Sequence, residues 1–331
     1  MPPAREIAGG LGPPTSHPMK TFFRAPARPV IEDLVAAAAR YKADPRADAT
    51  LGRDKTLVQI YLNPSLRTRL STEVAAKRLG MSVSTLDAGS AWAMEYGDGV
   101  RMDAGKAEHI REGAAVISQY ADVIGLRTFA GLEDRAADEA EVGLSAFAKY
   151  ATVPMVSLES ALRHPLQSLT DLLTIREHRR SDRPKVVLTW APHVRALPQA
   201  VANSFAEWTL ASGYDLTVAA PEGFALDERF TRGATLTTDQ DDALREADFV
   251  YAKNWSSTRD YGAVGRGLDH WTVTAEKMAR TAGGRFMHCL PVRRNVVVAD
   301  AVLDDPVRNL TIEQAGNRQW AAQAALAYLL R

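Results

Sequence analysis

TLVQIYLNPSLRTRL, residues 56 to 70, joins two unlike patterns. Residues 56–62 form an aliphatic, β-branched run of strand length that stops at Asn63-Pro64, and RTRLSTEVAAKRLG beyond it is helical. A strand that runs straight into a helix is the unit of α/β folds, so this junction decides the fold class. Ser65 is placed to cap the helix. A helix start offers unpaired N–H groups and partial positive charge, to which Ser65 and Thr68 add hydroxyls and Arg67 and Arg69 add guanidinium forks matched to phosphate oxygens. The stretch reads as a phosphate cradle made without the glycines of a Walker loop; a capped surface helix with solvated arginines is the alternative.

The same alternation continues outward. Strands are expected at 56–62, 82–87, 121–126 and 153–158, then at 185–190, 215–219, 248–252 and 285–288, with a helix at 167–179 linking the two series and another over the Ala/Leu-rich C-terminus. The fold class is therefore α/β, with doubly wound parallel sheets. Arg127, Glu159, His193, Lys253 and Cys289 all fall just past expected strand ends, the edge at which open parallel sheets bind ligands. One charged residue ending a strand is ordinarily just solvated. Five of them, together with the cradle, point to a single cleft between two sheets.

Bulk properties bound the function. The 331 residues suit two domains, and 40 basic residues balance 40 acidic ones, so no global field favours nucleic acid. One cysteine, Cys289, excludes an internal disulfide and a thiolate-rich metal site, and points to a reducing, cytoplasmic setting. No apolar run reaches the roughly 20 residues that span a bilayer, so no membrane partner is expected. Residues 1–18, rich in Pro and Gly, read as a disordered extension before Met19. G-x-G-x-x-G after a strand, G-x-x-x-x-G-K-[ST], H-E-x-x-H and G-x-S-x-G are all absent from the sequence.

SLRTR at 65–69, HPLQ at 164–167 and HCLP at 288–291 together resemble the aspartate/ornithine carbamoyltransferase family, over residues 19–331. TWAPHVRALPQAVANSF at 189–205 and YAKNW at 251–255 resemble its N-acylornithine branch. The resemblance implies a carbamoyl-phosphate-binding domain over 19–167, completed by a C-terminal helix at 309–331, and an acylornithine-binding domain over 168–308. It also implies a trefoil knot around 189–205 and a homotrimer with active sites at subunit interfaces. No cofactor and no metal are expected.

Carried over by position, the resemblance gives Ser65, Leu66, Arg67 and Thr68 to the phosphate of carbamoyl phosphate. Arg127, His164, Gln167 and Arg318 go to its carbamoyl end, and Trp92 would arrive from a neighbouring subunit. Glu159, His193, Asn203, Lys253, Leu290 and Arg293 are implied for the acylornithine, and the Cys289 and Leu290 carbonyls would line the path of the amine. The chemistry implied is direct attack of a neutral δ-amine on the carbamoyl carbon, with Arg67, Thr68, Arg127, His164 and Cys289 as the catalytic set. Ala107 falls where the acetyl branch carries Glu and the succinyl branch Pro. A small neutral residue does not repel the extra carboxylate of a succinyl group, so N-succinyl-L-ornithine is the expected acceptor. N-acetyl-L-ornithine, plain ornithine and a non-catalytic binder of phosphate metabolites are the alternatives.

Overall fold

The computed structural model describes residues 20–87 and 93–331. Five parallel strands make the first sheet: β1 (Thr21–Phe22), β2 (Thr56–Tyr61), β3 (Ser82–Asp87), β4 (Val123–Arg127) and β5 (Met155–Glu159), in the order β1-β5-β4-β2-β3. Helices α1 (Arg28–Ala43), α2 (Arg67–Arg78) and α3 (Ile110–Tyr120) lie between them in sequence. Five more parallel strands follow: β6 (Lys185–Trp190), β7 (Asp215–Ala219), β8 (Thr235–Thr237), β9 (Phe249–Lys253) and β10 (Arg285–Met287), in the order β8-β7-β6-β9-β10. The two doubly wound parallel sheets expected from the alternating pattern are both present.

Helix α4 (Pro165–His178) carries the chain from one sheet to the other. Its residues from Pro165 to Ile175 are all buried, which accounts for the weak amphipathic signal of this stretch. The chain ends in α6 (Thr311–Leu330), which returns to the first domain and packs along α1, α2 and α4. Its buried alanines, Ala321, Ala322, Ala324 and Ala325, let these helices approach closely, and Leu326 and Leu329 fill the same core as Phe22, Ile31 and Leu57.

Strand order creates two crevices. In the first sheet β3 and β4 lie on opposite sides of β2, and in the second β7 and β9 lie on opposite sides of β6. These are topological switch points, at which the flanking loops part and leave room for a ligand. Arg127, Glu159 and Lys253 are the last residues of β4, β5 and β9 rather than the first residues beyond. The ladder continues one residue further than apolarity suggests, because Arg127 and Glu159 face each other across a register shift between β4 and β5.

Leu326 is 1% exposed within the seam that ties the C-terminal helix to the first domain. Leu326→Ala should lower stability by about 2–5 kcal/mol, read from urea unfolding.

Candidate active site

A cleft of about 750 Å³ opens between the two switch points. Its lining includes Ser65, Leu66, Arg67, Thr68, Arg127, Glu159, His164, Gln167 and Arg318 from the first-domain side, and His193, Lys253, Cys289, Leu290 and Arg293 from the other. The sequence-based cluster is thus brought together almost whole.

The cradle is built differently from its reading in sequence. The N-cap of α2 is Leu66, which has helical backbone angles and no side-chain cap; Ser65 stands one residue too early. The first-turn N–H groups therefore keep no side-chain partner, which suits an anion better than a capped end. Arg67 lines the cleft, and burial depresses its pKa. Arg69, the second expected fork, turns away and binds both carboxylate oxygens of Asp87 at 3.0 Å. Beside the cradle, Asn63 Oδ1 accepts from Phe129 N at 2.7 Å and Leu62 N donates to Arg127 O at 3.0 Å, so the loops after β2 and β4 are held together.

Arg318, on α6, is 6% exposed. It donates to Gln167 Oε1 and, at 2.6 Å, to Thr68 Oγ1. A guanidinium only donates, so the Thr68 hydroxyl accepts here and keeps its own proton to give to a ligand. His164 caps α4 ahead of Pro165, and its Nε2 lies 3.5 Å from Arg318 Nη2. Burial, then the charges of Arg318 and Arg127, push the His164 pKa well below the usual imidazole range, so the ring is neutral at pH 7. Arg127 pairs with Glu159 at 2.6 Å, and its guanidinium stacks 4.3 Å from the centre of the Phe129 ring. Nε of Arg127, Nε of Arg318 and Nδ1 of His164 are buried with no hydrogen-bond partner among the described residues.

On the opposite wall Arg293 Nε donates to His193 Nε2 at 3.2 Å, and His193 Nδ1 lies 2.9 Å from Arg195 O, which fits a proton on Nδ1. Burial lowers the His193 pKa, as do Lys253 and the two arginines. Lys253 is 7% exposed and donates to Asn254 O. Arg195 also lines the cleft; it went unnoticed in the sequence because it lies five residues past a strand. Among the described residues, six cationic side chains thus face the cavity against the single carboxylate of Glu159, which favours a polyanionic occupant.

Three expected residues are not in this wall. Asn203 is fully buried in α5 (Ala200–Ala211), where Nδ2 donates to Leu162 O at 3.4 Å, so its helix faces it into the packing rather than the cleft. Ala107 is exposed, next to the short strand Glu108–His109 and outside the cavity of its own chain. Trp92 lies outside the described residues. Away from the cleft, Glu177, His178 and Glu313 cluster within 4.8 Å, but Lys42 Nζ reaches both glutamates at 2.8 and 3.3 Å and supplies the cation itself.

A cation-lined cleft spanning the switch points of two parallel sheets, floored by a helix start, marks a two-domain α/β protein. The family is fixed by comparison. Residues 25–177 match the carbamoyl-P binding domain of aspartate/ornithine carbamoyltransferase and residues 198–329 match its Asp/Orn binding domain. The chain belongs to the aspartate/ornithine carbamoyltransferase family. It is 49% identical to the N-succinylornithine carbamoyltransferase of Bacteroides thetaiotaomicron, over 85% of this chain and 89% of that one. It is 35% identical to the N-acetylornithine carbamoyltransferase of Xanthomonas campestris pv. campestris, over 92% and 95%. Among solved structures, an N-acetyl-L-ornithine transcarbamylase variant with one glutamate replaced by alanine, complexed with carbamyl phosphate and N-succinyl-L-norvaline, matches with a TM-score of 0.89 at 35% identity, covering 94% of this chain and all of that one.

Burial raises the pKa of Cys289, the one cysteine, so its thiolate fraction at neutral pH is below that of a free thiol. Iodoacetamide should label the native protein at least about tenfold more slowly than the unfolded chain, with labelling quickening as pH rises; equal rates, measured by mass spectrometry, would contradict this environment.

Proposed function

We propose that this protein transfers the carbamoyl group of carbamoyl phosphate to the δ-amine of N-succinyl-L-ornithine, giving N-succinyl-L-citrulline and phosphate. The observation that carries the reading is the set of groups at one end of the cleft. An uncapped helix start with Arg67 lies beside Thr68, Arg127, His164 and Arg318, whose unpartnered N–H and O–H groups suit a phosphate and an adjacent carbonyl oxygen.

Carbamoyl phosphate is already activated, so catalysis reduces to placing an amine and stabilising charge. Arg67 and the α2 N–H groups hold the phosphate and take up its charge as it leaves. Arg127 and the Thr68 hydroxyl donate to the carbamoyl oxygen as it becomes an oxyanion, and neutral His164 adds a donor. A free alkyl amine titrates near 10.4, so the nucleophile has to shed a proton before attack, and the departing phosphate takes the proton released afterwards. Lys253, His193, Arg293 and Arg195 face the other end, where a succinylated ornithine brings two carboxylates and an acetylated one brings a single carboxylate.

The acyl preference is supported by the higher identity to the N-succinylornithine carbamoyltransferases and by the small, uncharged Ala107. Replacing one glutamate by alanine in an N-acetyl enzyme is compatible with an N-succinyl ligand, as its complex with N-succinyl-L-norvaline demonstrates. Ala107 lies outside its own chain's cleft, so for it to meet the acyl group another copy has to bring it there. The apolar stripe of Leu66, Leu70 and Val74, exposed along one face of α2 at four-residue spacing, fits the contact such a trimer requires.

Arg67→Ala should lower kcat by about 10²–10³-fold with the fold intact, and near-normal citrulline formation would reject its phosphate role. Assays with succinyl-, acetyl- and unmodified ornithine test the acceptor. A preference of about tenfold for the acetyl compound would defeat the succinyl assignment, and Ala107→Glu should move preference toward acetyl. Subunit sharing is tested separately. Inactive Arg67→Ala and Trp92→Ala proteins, unfolded together and refolded, should regain activity in mixed trimers, because some sites then draw an intact Arg67 from one chain and an intact Trp92 from its neighbour; no recovery counts against a shared site.

A further inference from the structure

We propose that Asp171 is a positioning residue for the carbamoyl-phosphate end of the cleft, fixing the orientation of two buried glutamine amides and, through one of them, the set of the Arg318 guanidinium. The proposal rests on the reaction assigned above for the chemistry it serves, but its geometry stands on the protein alone.

Asp171 is fully buried within α4. Its Oδ1 accepts two hydrogen bonds, from Gln167 Nε2 one turn earlier at 2.7 Å and from Gln314 Nε2 on α6 at 2.6 Å. A glutamine amide donates at one end and accepts at the other, so anchoring each Nε2 on the carboxylate decides where each oxygen points. Gln167 Oε1 then receives Arg318 Nη1, and Gln314 Oε1 receives the backbone N–H of His288 at 2.9 Å. Were the Gln167 amide reversed, its NH₂ would face a guanidinium, donor against donor, at a buried position. Asp171 Oδ1, which only accepts, enforces both orientations, and ionisation of the carboxyl strengthens both bonds.

Both amides lead to the cleft. Arg318 passes the arrangement on to Thr68 Oγ1, and His288 begins the segment whose next residues, Cys289 and Leu290, line the opposite wall. The charged and titratable groups facing Asp171 are Arg318 from α6, Tyr251 from β9 and, beyond it, Cys289. Asp171 Oδ2 has no hydrogen bond of ordinary geometry among the described residues, and the Tyr251 hydroxyl is the group that faces the carboxylate from β9. Burial pushes the Asp171 pKa up to about 7, against the pull of the glutamines and Arg318. The ionised acceptor is therefore gained as pH rises through neutrality and lost as it falls.

Asp171→Asn tests this directly, since asparagine keeps the shape but loses the charge that strengthens both bonds, and with its carbonyl at Oδ1 it sets an NH₂ at the Oδ2 position, toward Arg318 and Tyr251. Asn317→Ala is the control: Asn317 Nδ2 donates to Thr174 Oγ1 at 3.0 Å and to Glu177 Oε2 at 2.8 Å in the same α4–α6 seam, away from the cleft. At a comparable drop in Tm, Asp171→Asn alone should raise KM for carbamoyl phosphate and lower kcat, each by about tenfold, with KM for the acylornithine nearly unchanged. The parent's kcat should fall more steeply below pH 7 than that of the variant. Calorimetry with inorganic phosphate reads the cradle without turnover, and the variant should bind about fivefold more weakly.

Parent-like kinetics and phosphate affinity in Asp171→Asn, or the same kinetic losses in Asn317→Ala, would overturn the proposal. Should Asp171→Asn not fold, Gln314→Met carries the test: it removes one of the two anchored amides and should lower kcat at least about threefold with no greater loss of Tm than the control, and unchanged kinetics would overturn it. A parent protein that binds phosphate but turns over no carbamoyl phosphate defeats the assigned reaction instead, while the phosphate titration still decides the role of Asp171.

Discussion

The site depends on a guanidinium that the chain delivers last. Arg318 lies 250 residues beyond Thr68 and 151 beyond Gln167, yet it bonds both, and it can do so only because α6 returns from the second domain to lie along α2 and α4. Burying a guanidinium is expensive unless its donors are met, and two elements meet its Nη donors: α2 through Thr68, and α4 through Gln167 in its first turn and His164 at its cap. The alanine-rich face of α6 fits this need. Small side chains let the backbone come near enough for Arg318 to reach a helix start on one neighbour and an amide on the other, while Leu326 and Leu329 supply the apolar burial that holds the helix down. Fold closure and ligand recognition are therefore two outcomes of one packing event.

Much of this was legible in the sequence, for physical reasons that differ by element. The strands 185–190 and 215–219 lie where the apolar runs put them, because strands buried between helices need continuous hydrophobicity, and the edge strand 82–87 lies where polar and apolar residues mix. Strand ends at Arg127, Glu159 and Lys253 were set one residue short, since a charged residue reads as the edge of a strand unless its partner is known. The capping signal of Ser65 misled for a related reason: one serine before a helical pattern looks like a cap, but Pro64 and the start of α2 at Arg67 leave Leu66 in that position. Arg69 looked equivalent to Arg67, and only the neighbouring strand, with Asp87 at its end, separates them.

The Asp171 hub was not legible at all. Gln314 lies 143 residues away, and α4 is buried all round, so no periodicity distinguishes a functional polar residue in it from an ordinary one. Asn203 shows a converse case, in which a polar residue near a recognised motif lies buried outside the cleft lining, with its amide bonded to Leu162 O. Ala107 shows a third limit. In the proposed reaction it bears on the acceptor only from a neighbouring copy, and nothing in its own exposed environment marks it.

The electrostatics of the cleft explain why its histidine is neutral. Arg127 and Arg318 both approach His164, and a third positive charge there, shielded from water, would be repelled by both; burial and these two charges act in the same direction on its pKa. In the proposed reaction His164 therefore contributes a directed hydrogen bond, and the positive charge that answers a developing oxyanion comes from the guanidiniums. That division suits a reaction whose charge builds on the carbamoyl oxygen and then moves to phosphate. Fixed cations need not gain or lose a proton as the charge shifts, and with Arg318 and Arg127 already held by Thr68, Gln167 and Glu159, little reorganisation is left for the moment of reaction.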